Sequence, residues 1–169
     1  MTWDRPGFLR VIPRATVLNF ATIWKVGLVK RAPGTFGSIV GVLWYIVAFW
    51  KLNAFEFIFL YIFSNYISIL ICGEAESIIG TTDPACVILD EVCAVPLCFF
   101  NLPDFTQYIS NWKILLLGFL LFRFFDILKP FGIKKLQKYP RGIGIVIDDI
   151  AAAFATFLCL QVLFVFIKG

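Results

Sequence analysis

The chain has 169 residues, of which 60% are hydrophobic and 18% aromatic, and its mean hydropathy is +0.89. These values lie far outside the range of soluble globular proteins and indicate an integral membrane protein. The formal net charge of +4 is modest, and the basic residues are not interleaved with aromatic residues on a polar scaffold, so no nucleic-acid partner is expected.

The first 30 residues form a basic segment that contains a moderately apolar stretch at residues 15–29, interrupted by Lys25. We expect this stretch to lie in the membrane interface or to re-enter the bilayer. Five stronger apolar blocks follow, and their lengths approach the 17 to 25 residues, roughly, that cross a bilayer as a helix. They cover residues 36–50, 54–72, 86–100, 112–128 and 148–167.

Backbone groups cannot remain unpaired in hydrocarbon, and the alternating pattern of a membrane β-barrel is absent, so each block is predicted to be a helix. The predicted fold is therefore all-α: a multi-pass transmembrane bundle of about five helices with a possible N-terminal interfacial helix. We expect one domain over residues 1–169, in which residues 31–169 form the bundle.

Alternating the five crossings sorts the basic residues unequally between the two sides of the membrane. One side receives ten: Arg5, Arg10, Arg14, Lys30, Arg31, Lys129, Lys134, Lys135, Lys138 and Arg141. The other receives three: Lys51, Lys113 and Lys168. The positive-inside rule then predicts that the first side is cytoplasmic, with the N-terminus inside and the C-terminus outside.

Five acidic side chains lie inside or at the ends of these apolar blocks: Asp90, Glu91, Asp126, Asp148 and Asp149. A carboxylate in lipid costs roughly 2.5 to 3.5 kcal/mol unless something compensates it. The predicted topology brings all five, with Asp83 in a preceding loop, to the cytoplasmic side. Hard oxygen ligands suit Mg²⁺, and the alternative is that basic neighbours such as Arg123 neutralise the acids.

Arg123, Asp126 and Lys129 recur every three residues, so they share one stripe of the fourth predicted helix. They could form an internal salt-bridge ladder, or Asp126 could bind a metal while the two cations hold phosphate oxygens. Asp148 and Asp149 open the last block, where the helix macrodipole favours negative charge and N-terminal capping would account for one of them.

Residues 31–38 open the second predicted element with two glycines and two hydroxyls, Thr35 and Ser38. Free amides at a helix start form a natural anion site. The spacing of Gly37 and Gly41 suits close helix packing equally well.

The absence of histidine narrows the possible chemistry. It excludes a Ser/His/Asp triad, a histidine acid and a phosphohistidine, and the sequence also lacks a Cys-x5-Arg loop, an Asp-x-Asp pair and a Walker loop. The five cysteines form no CxxC pair and are read as buried, reduced thiols. A phosphatase with this composition is expected to use metal-activated water and an acidic residue as base.

Together, four stretches in order resemble the phosphatidylglycerophosphatase A family of bacterial inner-membrane lipid phosphatases, over about residues 30–153. They are residues 33–38 (PGTFGS), 83–91 (ending in LDE), 122–130 (FRFFDILKP) and 142–149 (GIGIVIDD). Departures from the family pattern are Ala94, Ala153 and Gly132, where the family usually has glycine, glycine and proline.

The resemblance implies a magnesium-dependent, multi-pass enzyme that takes phosphatidylglycerophosphate from the cytoplasmic leaflet and releases phosphatidylglycerol and phosphate. Its implied catalytic residues are Asp83, Asp90, Glu91, Asp126 and Asp149. Its implied metal ligands are Asp90, Glu91, Asp126, Asp148 and Asp149. Its implied phosphate-binding residues are Arg123, Lys129, Lys30, Arg31, Thr35 and Ser38. The alternative is an ion or proton transporter with a carboxylate relay, in which the acids would be spread across the depth of the membrane.

Overall fold

A computed structural model describes residues 12–101, 110–130, 133, 138–139 and 142–168. Arg5, Arg10, Lys134, Lys135 and Arg141 therefore lie outside the described residues, as does Gly132. Within the described part there are six α-helices and no strand, which confirms the all-α prediction there. The helices are α1 (Arg14–Ala21), α2 (Pro33–Trp44), α3 (Ala54–Ile79), α4 (Leu89–Ala94), α5 (Asn111–Leu128) and α6 (Gly142–Lys168).

Two of these helices are long and apolar enough to cross a membrane, over Ala54–Ile79 and Gly142–Ile167. Only 28% and 22% of their most apolar windows are buried, whereas the core helix of a soluble protein would be mostly covered. Phe55 and Phe166 are each 80% exposed. Large outward-facing apolar surfaces of this kind support membrane association.

The stretch at residues 15–29 does not form a helix of spanning length. Its ordered parts are the eight residues of α1, about 12 Å long, and a short 3₁₀ turn at Val26–Leu28. Val17 and Ala21 are buried in the same apolar cluster as Cys72 and Ala75 of α3. The segment therefore packs on the side of α3.

The third apolar block also differs from the predicted long helix. It contains the six residues of α4 followed by a 3₁₀ segment, Val95–Phe99, and together these are about 19 Å long. The segment is buried among α2, α3, α5 and α6, and the ring of Phe99 lies 4.9 Å from that of Tyr45. Four longer helical stretches thus surround a short central one, so five equal spans are not confirmed.

Proline explains why this central helix is short. Pro96 has no N–H to donate, so it cannot continue the α-helical hydrogen bonding. Two side chains of α3 serve the neighbouring carbonyls: Asn65 Nδ2 donates to Cys93 O at 3.1 Å, and the hydroxyl of Tyr61 donates to Ala94 O at 3.4 Å. These bonds fix α4 against α3.

Helix α6 begins at Gly142, six residues before the predicted start of the last block. Asp148 and Asp149 therefore lie about two turns inside the helix, and the prediction that they sit at its N-terminus is wrong. The effect of the macrodipole is confined to the first turn, so it does not stabilise these acids. Residue 142 is a glycine at a close contact with α3, because a Cβ there would overlap the carbonyl of Ile69.

We expect Gly142→Ala to lower the free energy of unfolding by about 1 to 3 kcal/mol, because backbone atoms of α3 cannot move aside easily. Thermal unfolding in detergent measures this effect. Gly80→Asn is the matched control, because Gly80 has open space around it and asparagine tolerates its left-handed backbone. Equal unfolding temperatures for the two variants would contradict the close contact between α3 and α6.

Candidate active site

A polar cavity of about 220 Å³ lies where the start of α2, the start of α4, the end of α5 and the first turns of α6 meet. Its acidic lining residues are Asp83, Asp90, Glu91, Asp126, Asp148 and Asp149. Its basic lining residues are Arg123 and Lys129. The fold thus brings together charged residues that lie up to 66 positions apart in the chain.

Arg123 is the central cation of the cavity. Its Nη1 atom donates to Asp126 Oδ2 at 2.6 Å, to Glu91 Oε1 at 3.0 Å and to Ser38 Oγ at 3.3 Å. It therefore connects α5 with α4 and α2. The salt bridge along α5 and the neutralisation of Glu91 by Arg123, both considered from the sequence, are present.

Lys129 follows the last residue of α5 and pairs with two acids. Its Nζ atom donates to Asp148 and lies 3.9 Å from Asp126 Oδ1. Burial by itself would lower the pKa of Lys129, but the hydrogen bond to Asp148 and the negative charges of Asp148, Asp149 and Asp126 raise it above its ordinary value. The ammonium group therefore stays charged at neutral pH.

Two of the remaining acids have no counterion among the described residues. Asp90 and Asp149 are buried and make no ion pair with any described residue. Among the described residues, one oxygen each of Asp90, Glu91 and Asp148 is buried without a hydrogen-bond partner. Among the described residues, six acids and two bases line the cavity, and all of these acids except the exposed Asp83 are buried or half-buried. Such an excess of buried negative charge is costly unless a cation compensates it.

The donor set fits a hard divalent cation, because it offers several unpaired carboxylate oxygens in one cavity. Within the described ranges, however, no three acids form a ready-made metal-binding group. Arg123 and Lys129 lie between the acids and hold Glu91, Asp126 and Asp148 by ion pairs. A cation would therefore share these carboxylates with the two basic side chains.

The glycines at the start of α2 make room for Glu91. A Cβ at Gly34 or at Gly37 would overlap the carboxylate of Glu91, and one at Gly41 would press on the side chain of Val95 at 2.7 Å. The packing role that the sequence left open for Gly37 and Gly41 is thus observed. Close approach of α2 to α4 is what allows the Glu91 carboxylate to reach Arg123.

The other residues predicted from this motif lie outside the cavity lining. Lys30 and Arg31 are exposed, and Thr35 is partly buried but does not face the cavity. Ser38 is buried, donates to Gly34 O at 2.8 Å and accepts from Arg123. Ser38 therefore helps to position Arg123 by a hydrogen bond from outside the cavity lining.

Three residues of the cavity lining have a left-handed backbone: Ala32 at φ 50°, Asp83 at φ 48° and Lys129 at φ 42°. This conformation costs roughly 1 to 2 kcal/mol for a residue with a Cβ. Backbone strain of this kind clusters at functional sites. The left-handed backbone at Lys129 ends α5, and the Lys129 side chain reaches Asp148 on α6.

The sequence did not single out Glu74 and Glu76, which lie in the last turns of α3 and both make polar contacts. Glu74 is only 4% exposed. The predicted block ended at Cys72, whereas α3 continues to Ile79. Extending the predicted helix past Cys72 would have included Glu74 and Glu76. Ala94 and Ala153, which depart from the family pattern, are fully buried.

The fold and the cavity define a class: a membrane-associated helical protein with a polar cavity that is lined by charged side chains. The family model for phosphatidylglycerophosphatase A matches residues 19–164, so the chain belongs to that family. It is an enzyme, a phosphoric monoester hydrolase. No solved structure matches the chain significantly.

Three curated bacterial proteins are similar to the chain. "Phosphatidylglycerophosphatase A" of Haemophilus influenzae is 33% identical over 128 residues, which cover 75% of this chain and 76% of the relative. "Phosphatidylglycerophosphatase A" of Escherichia coli K12 is 28% identical over 128 residues, covering 75% and 70%. "Putative phosphatidylinositol-3-phosphatase" of Bacteroides thetaiotaomicron is 28% identical over 162 residues, covering 94% and 95%.

We expect Arg123→Gln to lower the free energy of unfolding by about 3 kcal/mol, because it leaves Glu91 and Asp126 buried without their cation. Adding Asp126→Asn to that variant should restore part of the loss. The control is Lys113→Gln, an exposed cation on the same helix, which should change stability by about 0.5 kcal/mol or less. Chemical unfolding in detergent measures all three, and an Arg123→Gln protein as stable as the control would refute the central role of this ion pair.

Proposed function

We propose that this enzyme hydrolyses the terminal phosphate of phosphatidylglycerophosphate in a magnesium-dependent reaction and releases phosphatidylglycerol and phosphate. The observation that carries the proposal is the cavity in which, among the described residues, six acids face two bases, in a chain that belongs to this family. The enzyme would be a multi-pass protein of the bacterial inner membrane and take its substrate from the cytoplasmic leaflet.

Asp90 and Asp149 are the first candidates to hold magnesium, because they are buried without a cationic partner among the described residues. Glu91, Asp126 and Asp148 complete the proposed set of ligands and also hold the two basic side chains. Bound magnesium would supply Lewis-acid neutralisation of the charge on phosphate oxygens.

Arg123 and Lys129 are proposed to bind the phosphate group itself. Both are charged and line the cavity, and Arg123 Nε has no hydrogen-bond partner among the described residues. Fixed cations stabilise the charge that spreads over the phosphoryl oxygens in the transition state. An acid of the cavity that is not binding a cation would accept the proton of the attacking water.

The phosphatase proposal explains the position of the acids better than a transporter does. A proton or ion relay needs acidic groups spaced across the membrane. Here the acids named from the sequence gather in one cavity, at one end of the long helices. The choice of lipid rests on the family and on the names of two relatives, while the third relative is named for a phosphoinositide.

Purified enzyme in detergent is expected to release phosphate from phosphatidylglycerophosphate with magnesium and to lose this activity with a chelator. Asp90→Asn and Asp149→Asn should each lower kcat by about 100-fold or more, because each removes a carboxylate that is proposed to hold magnesium. Glu56→Gln is the matched control, since Glu56 lies at the start of α3, away from the cavity, and glutamine keeps its capping role. Full activity in chelator would reject the magnesium requirement, and faster release from phosphatidylinositol 3-phosphate would reject the proposed substrate.

We expect the N-terminus and C-terminus to lie on opposite sides of the inner membrane, as the clustering of basic residues predicts. Reporter fusions that are active only in the periplasm should work at the C-terminus and fail at the N-terminus. Activity of both fusions, or of neither, would require an even number of crossings.

A further inference from the structure

Two apolar grooves lie side by side on the surface formed by α1, α2, α3 and α4, outside the polar cavity. The first has a volume of about 530 Å³ and the second about 480 Å³. They share four lining residues, Phe20, Trp44, Leu89 and Cys93. Trp44 and Phe20 thus form a common wall with one groove on each side.

Apolar side chains make up most of the lining of both grooves. Of the hydroxyl groups along the first groove, Ser64 Oγ donates to Tyr61 O at 3.0 Å and Ser68 Oγ lies 3.5 Å from Cys72 Sγ. These two hydroxyls are therefore satisfied within α3. Thr16 also lines the first groove, and Trp44, which lines both grooves, has an indole N–H that is buried without a hydrogen-bond partner among the described residues. The second groove is lined by apolar side chains such as Val40, Leu43 and Val92.

Helix α4 joins the grooves to the polar cavity. Its residues Leu89 and Cys93 line both grooves, while Asp90 and Glu91 line the cavity. An α-helix with its side chains is about 10 to 12 Å across. A ligand in the grooves therefore lies within about one helix diameter of the acids.

The connection between α1 and α2 also runs from the second groove to the polar cavity. Ile23 and Trp24 line the second groove, and the same segment ends at Pro33 in the cavity lining. The segment is fastened to the chain just before α4, because Ile88 N donates to Ala21 O at 3.0 Å. At Gly27 it approaches so closely that a Cβ would overlap the Cys86 carbonyl.

Three exposed cations lie on this connection: Lys25, Lys30 and Arg31. In the sequence, these three cations lie between Trp24, which lines the second groove, and Ala32, which lines the acidic cavity. A diacyl phospholipid with a phosphorylated head group has the matching order of parts: two hydrocarbon chains, an anionic phosphodiester and a terminal phosphate.

We propose that the two grooves hold the two acyl chains of the phospholipid substrate, one on each side of Trp44, and that residues 23–34 guide its head group to the cavity. This inference rests on the proposed function. It also gives Lys30 and Arg31 a role outside the cavity, as partners of the phosphodiester.

Groove-filling variants test this proposal. Ile67→Trp fills the first groove and Val40→Trp fills the second. The matched controls are Ile62→Trp and Ile39→Trp, on the same two helices at exposed positions that line neither groove. Each protein is assayed on diacyl phosphatidylglycerophosphate in mixed micelles and on its deacylated, water-soluble head group, with unfolding temperature as a check on folding.

We expect each groove variant to raise KM for the diacyl lipid about tenfold, equivalent to losing roughly two buried methylene groups. KM for the deacylated head group and both constants of the control variants should stay unchanged. If the wild type hydrolyses the diacyl lipid but not the head group, the acyl chains are required, and the comparison with the control variants then decides where they bind.

The outcomes separate the two proposals. A wild-type enzyme inactive on both substrates would refute the proposed function and this inference with it. An active enzyme whose groove variants behave like the controls on the diacyl lipid would refute only the grooves as acyl-chain sites, and would assign them to bystander bilayer lipid. An equal loss on both substrates would also refute the inference, because it would show a general structural effect.

Discussion

The ion pair that Arg123 makes with Glu91 and Asp126 connects the helices around the cavity, and much of the local structure serves to permit it. A guanidinium group buried in an apolar bundle is costly unless carboxylates surround it, and the same is true of each carboxylate. Gly34 and Gly37 leave the space that the Glu91 carboxylate occupies. The glycine motif therefore acts on the site through packing, at the point where α2 meets α4.

The short central helix α4 separates the polar cavity from the apolar grooves by only one helix. One of its faces carries Asp90 and Glu91 towards the cavity, and the other carries Leu89 and Cys93 towards the grooves. Bonds from α3 to its carbonyls and the proline that ends it keep it short and fixed. A preorganised site on a rigid element loses little free energy to reorganisation when charge develops.

The outer surface follows a different rule from the cavity. Apolar side chains on α3 and α6 face outward, as lipid requires, and polar groups gather inside the bundle. The strained backbone at Ala32, Asp83 and Lys129 lies along the lining of this polar site. At Lys129 the strain is tolerated because ion pairs with Asp126 and Asp148 hold the residue in place.

The sequence by itself determined the all-α class, the membrane character and the family, because apolar run length, missing alternation and ordered motifs are local properties. It also named the eight charged residues that line the cavity in the described part of the chain, since a charge within or beside an apolar run is easily recognised. It could not give the short length of α4, the early start of α6 or the burial of Glu74. Tertiary structure decided the length of α4, because Pro96 and the donors on α3 end that helix, and it brings the first residues of α6 so close to α3 that a Cβ at Gly142 would overlap its backbone. Only packing between distant segments decided that Lys30, Arg31 and Thr35 stay out of the cavity while Arg123 enters it, because side-chain direction depends on which helices meet.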